Sequence, residues 1–107
     1  MSRTRLVYLA GPVTGRPHRN EVAFAEAQHL LERDGWQVCN PLEVVPSSSS
    51  WLGAMVRCLW HLSLCDELRL LPGWHRSRGA QFEVALAVLL GLSIFPPHDQ
   101  TISLDIF

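Results

Sequence analysis

The chain has 107 residues, about the length of a single domain, with nine basic and ten acidic side chains and a formal net charge of −1. No basic run or tail is present, so duplex nucleic acid is not an expected partner, and 48% hydrophobic residues suffice for one modest core. The start "MSRTRLVYLAG" lacks the long apolar stretch of a signal peptide, and "VALAVLLGLSIF", broken by Gly91 and Ser93, is too short to span a membrane, so a cytoplasmic location with no membrane partner is expected.

The first element is a buried strand over residues 6–10, rich in strand formers and closed by Gly11. "GPVTGRPHRN" reads as a loop. A helix follows in "NEVAFAEAQHLLERDG", with Asn20 as cap, Ala23, Ala27, Leu30 and Leu31 on one side, and Gly35 as its stop. "WQVCNP" is a second strand ending at Asn40 and Pro41, and "LEVVPSSSS" a loop. Ser50 caps a second helix that starts at Trp51 and runs through "WLGAMVRCLWHLSL". "CDELRLLPG" is a third strand, "WHRSRG" a loop, residues 78–90 a third helix and "LSIF" a fourth strand. The tail "TISLDIF" alternates well enough to add a fifth.

Strands alternating with helices imply an α/β fold: a doubly wound, mostly parallel four- or five-stranded sheet with helices on both faces, forming one domain over residues 1–107. The carboxyl ends of parallel strands share one edge, where ligands of such sheets bind. That edge collects the loops at residues 11–19, 40–50, 72–77 and 96–99. The second helix carries more than one apolar stripe, through Trp51, Leu52, Met55, Val56, Leu59, Trp60 and Leu62. A chain this small cannot cover all of it, which implies a partner subunit; loose placement of the helix is the competing reading.

Glu83 stands where Leu86, Ala87 and Leu90 share its helix face. It is either a tilted or partly exposed acid, or one satisfied by a buried arginine, or a carboxylate tuned for chemistry near a site mouth. In "SRGA", Ser77 is a plausible helix cap, and with Gly79 and the backbone N–H groups it offers an anion site flanked by Arg76 and Arg78. An ordinary cap with solubilising arginines fits equally well. Gly11 and Gly15 in "GPVTG" suit either close approach to a ligand or a simple turn, and the spacing matches neither the dinucleotide fingerprint nor the P-loop. Asp66 is odd at the start of a buried strand, and is either a cap or a site residue. Trp51, Trp60 and Trp74 suit packing better than stacking on a ligand. Cys39, Cys58 and Cys65 read as reduced thiols; no Cys and His spacing suits zinc, and neither metal nor other cofactor is implied.

The pattern "VYLAGPVTG…NP…W…M…L…CDELRLLPGW…SRGAQFEVALAVLLG", over residues 6–95, resembles a group of small bacterial and phage proteins related to the nucleoside 2-deoxyribosyltransferases. The resemblance implies N-glycosidic bond cleavage or deoxyribosyl transfer on a small nucleoside or nucleotide, by a homodimer or larger homo-oligomer. Glu83 matches the superfamily's nucleophile, and Tyr8, Gly11 and Gly15 match the strand tyrosine and glycine loop beside the sugar. Transferases carry an aspartate where this chain has Ser77; nucleotide hydrolases carry a serine there that holds the 5′-phosphate, and Gly79 matches the following glycine. With Arg76 and Arg78 beside it, Ser77 turns the expected substrate toward a deoxynucleoside 5′-monophosphate. Asp66 would protonate or orient the leaving base, or hold a loop. The chain departs from the hydrolases at Ala80 and Gln81, where they carry a second glycine. His98, Asp99 or Ser103 are candidates for a group donated by a partner, and the serine-rich loop 47–50 for further phosphate contacts. A nucleotide-binding sensor without turnover, or a protein-interaction domain, would fit the same scaffold.

Overall fold

The protein is described here from a computed structural model, covering residues 5–46, 48 and 50–97. Its short apolar runs form strands β1 (Leu6–Ala10), β2 (Gln37–Cys39), β3 (Glu67–Leu70) and β4 (Ser93–Phe95), in the order β2-β1-β3-β4 with every neighbouring pair parallel. The expected fifth strand, and with it His98, Asp99 and Ser103, lies outside the described residues.

β1 occupies the centre, and its last four residues are wholly buried because both faces are covered. The period-2 alternation of a strand sends Val7 and Leu9 to one face, with Phe24 and Leu31 of helix α1 (Glu21–Arg33). Tyr8 and Ala10 join Leu68 and Leu70 on the other face. They pack there with Cys58 and Leu62 of α3 (Trp51–Ser63) and Ala80 and Ala87 of α4 (Arg78–Leu90). Helices therefore cover both faces, as the alternation of elements implies.

Several local expectations are revised. Asn20 does not cap α1: its backbone is left-handed, and its side-chain amide donates instead to the Pro12 carbonyl (3.0 Å). The inward stripe of α1 is Ala23, Phe24, Ala27 and Leu31, while Leu30 is exposed. "LEVVPSSSS" is not all loop, because Pro41–Val44 forms a one-turn helix, α2. Pro41 suits the first helical position, and Asn40 caps the turn by accepting from the Leu42 N–H (2.9 Å). Two 3-10 turns, Pro17–Asn20 and Trp74–Arg76, lie within stretches expected to be loop. On α4 the buried stripe is Ala80, Glu83 and Ala87; Leu90 faces out, so Glu83 is not framed by leucines on both sides.

Ser50 and Ser77 do cap their helices, accepting from Gly53 N–H (3.1 Å) and Ala80 N–H (3.2 Å). α3 buries Met55, Cys58 and Leu62 and turns Leu52, Val56 and Trp60 outward; α4 does likewise with Phe82, Val88 and Leu89. The sequence expectation of apolar surface left uncovered by the chain itself holds for these described residues.

Candidate active site

β1 and β3 are adjacent, yet the chain leaves them toward opposite faces: β1 leads to α1 and β3 to α4. That divergence opens a crevice outside the strands' carboxyl ends, the usual ligand position in such sheets. A cleft of about 780 Å³ lies there. Its walls are the loop after β1, the α2 region, the first turns of α3 and the segment from Arg76 into α4. The volume is in the usual range for small-molecule sites.

Glu83 lines the cleft from the second turn of α4, with 5% of its surface accessible. Tyr8, rooted in the centre of the sheet, donates its hydroxyl to the Glu83 carboxylate. Burial raises the Glu83 carboxyl from the ordinary 4.5 to about 8, although the Tyr8 hydrogen bond opposes the rise. Tyr8 is itself held well above the usual phenol range, by burial first and by the nearby Glu83 charge second, so it stays a donor at all working pH values. The thiol of Cys58 also lines the cleft and packs in the same cluster as Tyr8; burial pushes it up to about 11, so it too stays protonated. Tyr8 and Cys58 beside Glu83 thus remain uncharged, and the phenol supplies a hydrogen bond to whichever state the carboxyl adopts.

The other predicted residues divide. Ser77, Arg78 and Gly79 line the cleft at the amino end of α4. Ser77 Oγ and the Ser77 carbonyl accept from the Ala80 and Gln81 N–H groups, while those of Arg78 and Gly79 have no acceptor within the helix. Gly11 and Gly15 line it also, but their glycine identity has local causes. A Cβ on Gly11 would come within 2.8 Å of Leu71 Cβ, and Gly15 has φ +79°. Gly79 is matched to the packing of α3 on α4, since a Cβ there would meet Met55 Sδ at 3.1 Å.

Asp66 is not brought to the cleft. It lies just before β3, at the amino edge of the sheet, where its carboxylate accepts from Leu6 N–H (2.9 Å) and its own N–H donates to Leu6 O (2.7 Å). A part in protonating a leaving base is corrected to one in fastening β3 to β1. The other buried acid, Glu67, opens β3 and pairs with Arg69 (3.3 Å) and Arg5 (3.5 Å); it does not line the cleft either.

Among the charged and thiol-bearing lining residues, Arg16, Arg19 and Cys58 were not offered as site residues by the sequence reading. Both arginines sit in "GPVTGRPHRN", and the signal available was two cations directly after a glycine loop that follows a buried strand. Nothing local marks Cys58, whose neighbours in space come from β1 and α4.

No curated protein matches the chain. Among solved structures, a 2-desoxiribosyltransferase from Leishmania mexicana superposes with a TM-score of 0.68 at 16% identity, over 86% of this chain and 63% of that one. The chain therefore spans less than two thirds of that protein. A 2-deoxyribosyltransferase from the psychrotolerant bacterium Bacillus psychrosaccharolyticus superposes with the same TM-score at 22% identity, over 94% of this chain and 79% of that one. At these identities the likeness is one of fold. The profile of DUF4406, a domain of unknown function, matches residues 5–96, and the chain belongs to that family.

Proposed function

We propose that the cleft binds a deoxynucleotide, in its simplest form the 5′-monophosphate, and that Glu83 cleaves its N-glycosidic bond. The observation that carries this reading is the buried Glu83, which lines a strand-end cleft below the amino end of α4 and is hydrogen-bonded from the sheet by Tyr8, itself outside the cleft lining. The fold shared with two deoxyribosyltransferases supports it. Ser77, Arg78 and the free N–H groups of Arg78 and Gly79 hold the phosphate. The ionised Glu83 carboxylate attacks C1′ as positive charge builds on the sugar; the base leaves with the glycosidic electron pair and takes a proton from solvent. Water then cleaves the resulting sugar ester, freeing deoxyribose 5-phosphate and the carboxylate, or a second base accepts the sugar. Tyr8 orients Glu83 and stabilises its charge when the ester breaks. No cofactor enters this scheme, and the active form is a homodimer or larger homo-oligomer.

The test is incubation with each deoxynucleoside and deoxynucleoside 5′-monophosphate, with free base followed by chromatography. The wild type releases base from a nucleotide, and Glu83→Ala releases at least about a thousandfold less. Equal release by the two proteins rejects the nucleophile. One observation favours the sensor reading: a carboxyl raised to about 8 is mostly protonated at neutral pH, which suits binding better than attack. Nucleotide binding that Glu83→Gln leaves intact, with no base released at pH 7 or pH 9, establishes that reading.

A further inference from the structure

The chain contains no lysine; all nine of its basic side chains are arginines, and Arg16, Arg19, Arg76 and Arg78 line the cleft. Glu83 is the only acid among the described lining residues, and burial keeps it largely neutral below about pH 8. The ion pairs found among the described residues belong to Arg5 and Arg69, at the other edge of the sheet. The cleft therefore carries more cationic charge than a single monophosphate neutralises, since a phosphate monoester brings at most two negative charges.

Side-chain contacts place three of these four cations. Arg78 packs its guanidinium over the Trp51 ring (5.5 Å). Arg19 donates to the Val45 carbonyl (2.9 Å), leaving the rest of its five N–H groups for other acceptors. Its backbone lies in three consecutive left-handed residues, His18, Arg19 and Asn20 (φ 50°, 58° and 61°). A conformation so unfavourable for non-glycine residues is a mark of a segment shaped for a task. Arg16 reaches from the loop after β1 to the turn that leads into α4, where a Cβ on Gly73 would come within 2.9 Å of Arg16 Nη2. Gly73 has φ +86° and leaves that space open. The Arg76 N–H donates to the carbonyl of the same Gly73 (3.0 Å). The Arg16 guanidinium thus lies at the turn whose backbone carries Arg76, immediately outside the Ser77 position, and both residues line the cleft. Like charges gathered without an acid between them call for an anion.

We propose that the cleft accepts a nucleoside 5′-diphosphate in preference to the monophosphate. The inner phosphoryl group sits at Ser77 and the amino end of α4, and the outer one between Arg16 and Arg76. This rests on the reading of the cleft as a nucleotide site, but not on turnover there.

Calorimetric titration of the full chain with one deoxynucleoside, its 5′-monophosphate, its 5′-diphosphate and its 3′,5′-bisphosphate, at fixed ionic strength, tests it. The expected order places the diphosphate about tenfold or more below the monophosphate in Kd. Arg16→Ala removes most of that gap and changes monophosphate binding less than about threefold, while Arg16→Lys restores part of it. Equal Kd values for mono- and diphosphate overturn the inference, with or without base release, and need no variant. Tighter binding of the 3′,5′-bisphosphate than of the 5′-diphosphate also overturns it, as does equal weakening of both 5′-nucleotides by Arg16→Ala. Diphosphate preference without base release rejects the glycosidase reading and sustains this one; base release without that preference does the reverse.

Discussion

Burial of Glu83 has a thermodynamic signature that is independent of any substrate. Below pH 4.5 the carboxyl is protonated in the folded and unfolded chain alike. Between 4.5 and about 8 the unfolded chain releases the proton and the folded one retains it, so stability falls as pH rises through that window. The ceiling on that loss is roughly 4 to 5 kcal/mol for one group, at 1.36 kcal/mol per pKa unit. Thermal melts from pH 5.5 to 8.5 check the sign: Glu83→Gln melts progressively higher than wild type as pH rises, and a constant offset speaks against the burial argument. Under the proposed mechanism catalysis would run the other way, because the nucleophile must be ionised. Initial rates of base release climb with pH toward an apparent pKa near 8, and a flat profile from 6 to 9 excludes a rate-limiting Glu83 ionisation. The position of Glu83 was legible from helical spacing and the cap at Ser77. Its partner was not, since Tyr8 lies 75 residues earlier in the chain and meets it only once α4 packs on β1.

At the scale of elements, the cleft depends on close contacts around strand ends. The stem atom Leu71 Cβ has little freedom to yield to a side chain at Gly11, so Gly11→Ala costs about 1 to 3 kcal/mol in denaturant unfolding; a neutral result means that β1 and β3 relax apart there. Asn40 links α1 to α2, capping the latter and donating to Gln28 Oε1 (3.0 Å). Asn40→Ala costs about 1 to 2 kcal/mol on the same assay. Element type could be read from pattern wherever a run was long: the three main helices and all four described strands lie where the apolar periodicity puts them. The errors are in short pieces. α2 is a single turn nucleated by Pro41 and a side-chain cap, too brief to show periodicity. Asn20 has a capping residue's chemistry, yet its amide goes to Pro12 because the preceding turn is left-handed.

For the molecule as a whole, the outward faces of α3 and α4 matter most. Leu52, Val56, Trp60, Phe82, Val88 and Leu89 each keep more than half of their surface exposed, and Trp51 meets Phe82 edge to face at 6.1 Å beside the cleft. Apolar surface on that scale fits the expectation of a partner subunit, with self-association through a two-fold axis as the use to be tested. Analytical ultracentrifugation at micromolar concentration gives a dimer or larger species for wild type and a shift to monomer for the double variant Trp60→Glu, Leu89→Glu. A monomeric wild type removes the expectation. Because Trp51 both borders this face and packs on Arg78, the proposed nucleotide site predicts that the monomeric double variant also binds nucleotide more weakly than wild type. The alternation of strands and helices made the sheet and its ligand edge legible from pattern alone. Charge on the cleft walls was less so: Arg16 and Arg19 look like ordinary loop cations until the crevice between β1 and β3 sets them opposite α4.

The left-handed turn at residues 18–20 also bears on how the chain responds to selection. Holding non-glycine residues in that conformation costs roughly 1 to 2 kcal/mol each. A screen that rewards thermal tolerance alone would favour glycine at His18 or Arg19, and the second change would discard a cleft cation outright. Variants recovered for heat resistance should therefore be ranked again by ligand affinity before they are carried forward.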